Sequence, residues 1–131
     1  MNQVELGENL SLSERLIHNL NANPTMLLPD SSFDACILAV SVQYLTRPVE
    51  TFADVARVLK PGALLAISFS NRMFATKAVA IWRSISDADH ARMLEVYLRC
   101  AGGFVNLSFE DLSPAPGETD PLYVVSARRE M

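Results

Sequence analysis

The clearest signal along the chain is a pair of short apolar runs separated by one amphipathic stretch. Phe33-Asp34-Ala35-Cys36-Ile37-Leu38-Ala39-Val40 follows the turn cluster Leu28-Pro29-Asp30-Ser31-Ser32. The run lacks polar alternation, as expected of a strand covered on both faces in a parallel α/β sheet. Pro48 suits the first turn of a helix, where its missing N–H costs nothing, and Glu50 favours the positive end of the dipole. Val49, Phe52, Ala53, Ala56 and Leu59 then repeat at helical spacing, and Pro61-Gly62 stops the helix after Lys60. Ala63 to Phe69 is the second apolar run. Strand, helix and strand in this order predict a βαβ unit with a right-handed crossover.

The remaining elements are read the same way. Thr76 to Trp82 predicts a short helix. Ser86 with Asp89 three residues on resembles a capping box. The helix that it opens carries Ala91, Leu94, Leu98 and Ala101 on one face and ends at Gly102-Gly103. Val105, Leu107 and Phe109 alternate with Asn106, Ser108 and Glu110, the period of a half-exposed strand. The stretch 113–121, with three prolines and a glycine, reads as a loop, and Leu122 to Arg128 as a last strand. Two strands joined by a loop alone should be antiparallel. The expectation is therefore strands near 34–40, 63–69, 104–110 and 122–128, with helices over about 48–60 and 87–101. Leu12, Leu16 and Leu20 share a helical face, which suggests a helix over about 9–20, broken by Asn21-Ala22-Asn23-Pro24.

Composition narrows the class. With 131 residues, half of them hydrophobic and a fifth charged, the chain is one globular domain or part of one. The formal charge is −4 and no basic run exceeds Arg128-Arg129, which argues against nucleic acid or an anionic membrane surface as a partner. No apolar stretch approaches the roughly 20 residues of a membrane span. Met1-Asn2-Gln3-Val4-Glu5 has neither the basic nor the apolar region of a signal peptide. Cys36 and Cys100 sit in apolar segments and read as reduced residues of a cytoplasmic protein. His18 and His90 stand apart, without partners at metal spacing, so no metal site is expected. No serine is framed as Gly-x-Ser-x-Gly.

Three pieces at characteristic spacing carry a family resemblance. They are Leu28-Pro29-Asp30-Ser31-Ser32-Phe33-Asp34-Ala35, then Val42-Gln43-Tyr44-Leu45, then Ala56-Arg57-Val58-Leu59-Lys60-Pro61-Gly62. Together they resemble the second half of a class I S-adenosylmethionine-dependent methyltransferase domain of the small-molecule, type 11 kind. The resemblance implies a Rossmann-like sheet in the order 3-2-1-4-5-7-6. The chain departs from the family at several points. No Gly-x-Gly occurs, so the loop that approaches the methionine part of the cofactor is not encoded. The acid that grips the ribose is missing with it. Asn19 or Asn21 stands where an acid usually meets the adenine amine, Gln43-Tyr44 replaces a His-His step, and Ala63 replaces a second glycine. The expected fold is thus a truncated α/β methyltransferase sheet, mostly parallel with an antiparallel C-terminal strand. Strands 1 and 2, and on the widest reading strand 3, are absent. Residues 1–131 form a single partial domain, with 28–131 as the core and 1–27 weakly structured or rearranged.

By resemblance, Ala39, Val40 and Ser41 at the end of the fourth strand line the cofactor site. Gln43 and Tyr44 line the acceptor pocket or pack under the next helix. Asn71 and Arg72, past the fifth strand, are rim contacts to the acceptor or a solvated loop. Asp34 reads as satisfying neighbouring backbone donors and Trp82 as core. The implied cofactor is S-adenosylmethionine, and the implied activity is methyl transfer to a small-molecule acceptor by the parent protein. Orientation is most of what that chemistry asks of a protein, which accords with the lack of a catalytic motif. The alternative is a non-catalytic remnant or self-associating module that cannot bind cofactor alone. With strand 1 absent, strand 34–40 is an unprotected edge, which predicts a homo-oligomer through it or a rearrangement of residues 1–27 over it.

Overall fold

A computed structural model describes residues 8, 11–14, 16–70, 78–115, 118 and 120–131. Strand β1 spans Phe33–Ala39 and helix α1 Pro48–Val58, with a single 3-10 turn, Val42–Tyr44, between them. Strand β2, Leu59–Phe69, follows directly. Helices α2, Ala80–Arg83, and α3, Asp87–Ala101, lead to strands β3, Phe104–Asp111, and β4, Tyr123–Arg129. The sheet order is β1-β2-β4-β3. β1 and β2 are parallel, and β4 is antiparallel to both neighbours. Among the described residues this is the expected order with its first three strands left out, a truncated Rossmann-like sheet.

Local chemistry accounts for the boundaries. Pro48 opens α1, and Glu50 in its first turn pairs with Arg47. The helix ends at Val58 rather than Lys60, because the residue before a proline is pushed into extended backbone. Leu59 is already extended, and Gly62 at φ 81° lets the chain resume the strand. Lys60-Pro61-Gly62 bulges out between the pairs Phe33–Leu59 and Ala35–Leu64. Ser86 caps α3, its Oγ accepting from the Asp89 N–H at 3.3 Å. Gly103, at φ 84°, lets strand and helix meet closely. A Cβ there would lie 3.3 Å from that of Ala56.

The core lies on one face of the sheet. Leu65, Ile67 and Phe69 of β2 are fully buried beneath Phe52 and Val55 of α1 and Leu94 and Leu98 of α3. Trp82 is core as expected, stacked on His90 at 4.0 Å and edge-on to Phe69. Fully burying one such side chain contributes about 1.5–3 kcal/mol.

Three expectations are corrected by the structure. β1 is not covered on both faces. Cys36 and Leu38 face the core, whereas Ala35, Ile37 and Ala39 are exposed and Ile37 keeps 74% of its surface. The register sets them beside Leu64, Ala66 and Ser68 of β2 and Arg128, Ser126 and Val124 of β4, making one open face. Likewise β3 does not alternate simply. Val105 pairs with Arg128 and Ser108 with Ser126, so Asn106 and Leu107 together oppose Ala127. Asn106, at φ 56°, forms this bulge and turns Val105 to the face opposite Leu107 and Phe109. The helix expected over 9–20 is absent from residues 11–14 and 16–20. Of its leucines, Leu20 packs on the core while Leu16 stays 49% exposed. A short helix gains too little from so narrow a contact.

Candidate functional site

In open α/β sheets ligands gather beyond the carboxyl ends of the parallel strands. Here that rim is the exit of β1. Val40 N–H donates to Ser68 O at 2.9 Å, and the chain then turns through Val40 at φ 46°. The left-handed region is costly for a β-branched residue, about 1–2 kcal/mol. Such strain is characteristic of ligand sites.

Two polar clamps bring an N-terminal segment to this exit. Asn21 donates Nδ2–H to Tyr44 O and accepts at Oδ1 from Thr46 N–H, both at 3.0 Å. His18 Nε2–H donates to Asn23 O at 2.7 Å. Deeper, Asp54 accepts from Arg57 Nε–H and from Met26 N–H, each at 2.7 Å. Arg57 also reaches Leu28 O at 2.7 Å, Met26 O at 3.0 Å and Asp30 Oδ1 at 2.6 Å. Burial opposes charging of the Asp54 carboxyl, but the bonds from Arg57 and Met26 outweigh it and hold its pKa below the usual value. The guanidinium of Arg57 is held correspondingly more firmly protonated.

Between segment 17–21 and the turn after β1 lies a cavity of about 490 Å³. Leu38, Leu45 and Tyr44 give it apolar surface, and His18, Asn19 and Ser41 polar atoms. Of the residues predicted from sequence, Ser41 and Tyr44 line it. Ala39 and Val40 lie exposed beside it, and Gln43 does not reach it. Gln43 is 1% exposed, with Nε2 donating to Val40 O at 3.4 Å and Oε1 buried without a partner. Asn71 and Arg72 lie outside the described residues. Asp34 is exposed and pairs with Lys60 at 3.0 Å. The contribution of Ile17, His18 and Leu20 had no local signal, because it depends on contacts about 25 residues away in the chain. A second hollow of about 650 Å³ lies at the opposite edge, between α3 and β3 over Leu107, Phe109 and Val125. No group of three or more His, Cys, Asp or Glu suited to a metal occurs among the described residues. No described helix is long and apolar enough to cross a membrane.

Sheet order, crossover and rim together define a Rossmann-like domain of the methyltransferase kind. Residues 3–67 match the family model described as a methyltransferase domain, type 11. A bifunctional biotin biosynthesis protein, BioHC, of Teredinibacter turnerae is 28% identical over 83 residues, covering 63% of this chain and 15% of that protein. The [4+2]-cyclase SpnF superposes with a TM-score of 0.60 at 20% identity, over 82% of this chain and 54% of that one. An S-adenosylmethionine-dependent methyltransferase of Aquifex aeolicus gives 0.59 at 22%, over 88% and 54%. The family match, together with this relative and these folds, supports a class I S-adenosylmethionine-dependent methyltransferase domain. The chain spans about half the length of these two solved structures and a small part of the curated relative.

The donor set fits that cofactor only in part. The apolar wall and the polar atoms of Asn19 and His18 suit a purine base. Among the described residues no carboxylate lines the cavity to take a ribose diol, and the 131 residues contain no Gly-x-Gly for the methionine part. Asn21, one of two positions nearest the family's adenine-binding acid, spends both ends of its carboxamide on the turn. The residues present fit the base and not the rest of the group.

Proposed function

We propose that this chain supplies the base-binding wall of a methyltransferase site in the whole protein, which transfers a methyl group to a small-molecule acceptor. The observation that carries the reading is the strained exit of β1 at Val40, set beside the cavity of Ser41 and Tyr44. Fold alone does not assign a reaction. One of the similar structures is described as a cyclase. Methyl transfer therefore rests on the family match and the motif spacing.

The partial donor set gives the proposal a magnitude. Micromolar affinity corresponds to about −8 kcal/mol, and each 1.4 kcal/mol is about tenfold. Two missing bonds to charged groups remove about 3–6 kcal/mol. The chain alone should thus bind S-adenosylhomocysteine no more tightly than adenosine, both near millimolar. The test is NMR titration with each ligand, backed by calorimetry. Shifts at Ser41, Tyr44 and Asn19 with similar weak affinities support the reading. No shift at these residues sinks it and favours the second reading, a non-catalytic chain, which the missing ribose and methionine contacts recommend. A ten-micromolar S-adenosylhomocysteine site would show instead that residues 1–27 complete the pocket, contrary to the base-only assignment.

A further inference from the structure

Helix α3 meets the sheet with two kinds of side chain. Leu94 and Leu98 are buried in the core, whereas Ala88 and Ala91 stand where the helix passes the outer strand β3. With only a methyl group at each of these positions the helix does not fill the space over β3, and the hollow of about 650 Å³ remains. Its floor is Leu107, Phe109 and Val125. Phe109 keeps 50% of its surface, and its ring is held by stacking on Tyr123 at 5.8 Å, so the apolar floor is formed in advance. β3 is the outermost strand here and also in the 3-2-1-4-5-7-6 order that the resemblance implies. The hollow is bounded by α3, β3 and β4 alone, so what stands beyond β1 does not bear on it.

Charge lies on the helix side of the rim. Arg99 donates from its Nε and from one terminal nitrogen to Glu95 Oε1, at 2.9 and 2.7 Å, so these two charges offset each other. Arg92 meets Asp89 only at 3.7 Å, beyond hydrogen-bond length, and keeps 81% of its side chain in solvent. The hollow therefore joins an apolar floor to one cation whose donors are not engaged at hydrogen-bond length by the described residues.

We propose that this hollow binds a small aliphatic monocarboxylate, its tail on Leu107, Phe109 and Val125 and its head on the Arg92 guanidinium. The planar fork of arginine matches a carboxylate. The net charge of −4 opposes a polyanion, which favours a ligand with a single negative charge. The volume falls within the roughly 300–1,000 Å³ of small-molecule sites. The inference rests neither on cofactor binding nor on methyl transfer.

The experiment is NMR titration of the full chain with hexanoate, octanoate and octan-1-ol, each below the concentration at which it self-associates. Octanoate should shift the amides of Ala88, Ala91, Leu107 and Phe109. A fully buried CH₂ contributes a factor of about three to four, and the hollow is open on one side. Binding should therefore tighten about five- to tenfold from hexanoate to octanoate. Arg92→Gln, at a position largely in solvent, should weaken octanoate about two- to fivefold, the worth of an exposed ion pair. That brings it level with octan-1-ol, which should not respond to the substitution. Ala88→Phe, also at an exposed position, should fill the hollow and abolish binding of both. No shift at the lining amides, octan-1-ol binding as tightly as octanoate, or unchanged affinity in Ala88→Phe would each overturn the proposal. Equal shifts at Ala35 and Ile37 on the open sheet face would show mere detergent action and overturn it as well. So would a dimer, seen by light scattering, that protects the lining amides without ligand, because a second copy would then be the occupant. Should Ala88→Phe misfold, the response to Arg92→Gln decides alone.

Discussion

Asp54→Asn is the sharpest probe of how the site is held. The carboxylate is 7% exposed and joins two structural units. Its Oδ1 takes Arg57 Nε–H, while Oδ2 takes Met26 N–H, fixing the stretch before β1 to helix α1. Asparagine keeps the shape but replaces one oxygen by an NH₂ and removes the charge. One donor then faces another donor, and the second bond loses its ionic part. Bonds to charged groups contribute about 1.5–3 kcal/mol each. Because Arg57 keeps about a third of its side chain in solvent, screening argues for the lower part of the range, so the expected loss is about 2–3 kcal/mol. Urea unfolding reads this directly. With a slope of about 1–3 kcal/mol per molar, the midpoint should fall by about 1–2 M at unchanged slope. A fall under about 0.3 M would refute the argument. Acid supplies a second reading. The native carboxyl has a lowered pKa, so the unfolded chain binds the extra proton first as pH falls. The contribution is whole above the ordinary carboxylate range and disappears as pH drops through the native value. The gap between wild type and variant must therefore narrow in acid; a widening gap would reverse the sign of the reasoning.

Val40→Gly should stabilise the protein slightly. It relieves about 1–2 kcal/mol of left-handed strain and costs about 0.5–1 in chain entropy, seen as a melting point a few degrees higher. An unchanged or lower melting point would mean that Val40 is not strained as argued. Leu65→Ala, at a fully buried position of β2, should cost about 2–5 kcal/mol in urea unfolding, and a loss below 1 would contradict the placement of the core. Burial pushes the Cys36 thiol up, whereas Cys100 is exposed, so a disulfide reagent at neutral pH should label Cys100 well before Cys36. Equal labelling rates would contradict this.

What could be read from sequence is what local chemistry determines. The ends of α3 follow from Ser86 and Gly102-Gly103, and the observed helix fills the interval. Strands β1 and β2 follow from unbroken apolar runs, and their parallel pairing from the helix between them. What could not be read depends on partners distant in sequence. Val105, Leu107 and Phe109 look like one face until Asn106 enters the left-handed region and inserts an extra residue opposite Ala127. The three leucines near the N-terminus look like a helix until one asks what surface would bury them. Of the cavity lining, Ser41 and Tyr44 were legible because they follow a strand end. Segment 17–21 was not, because the hydrogen bonds of Asn21 to Tyr44 and Thr46 and the packing of Leu20 on the core bring it there.

β1 ends in a strained residue beside a half-suited cavity. From Ala35 to Ala39 it carries no charge, no proline and no bulge, whereas β3 bulges at Asn106. A bulge is a device of an edge strand, and a plain apolar run suits a strand inside a larger sheet. That contrast accords with a chain that spans about half the length of the solved structures it resembles. Purine binding would read on Ser41 and Tyr44, past the end of the strand, so a titration that leaves both unshifted would remove the binding wall and leave the reading of the sheet untouched.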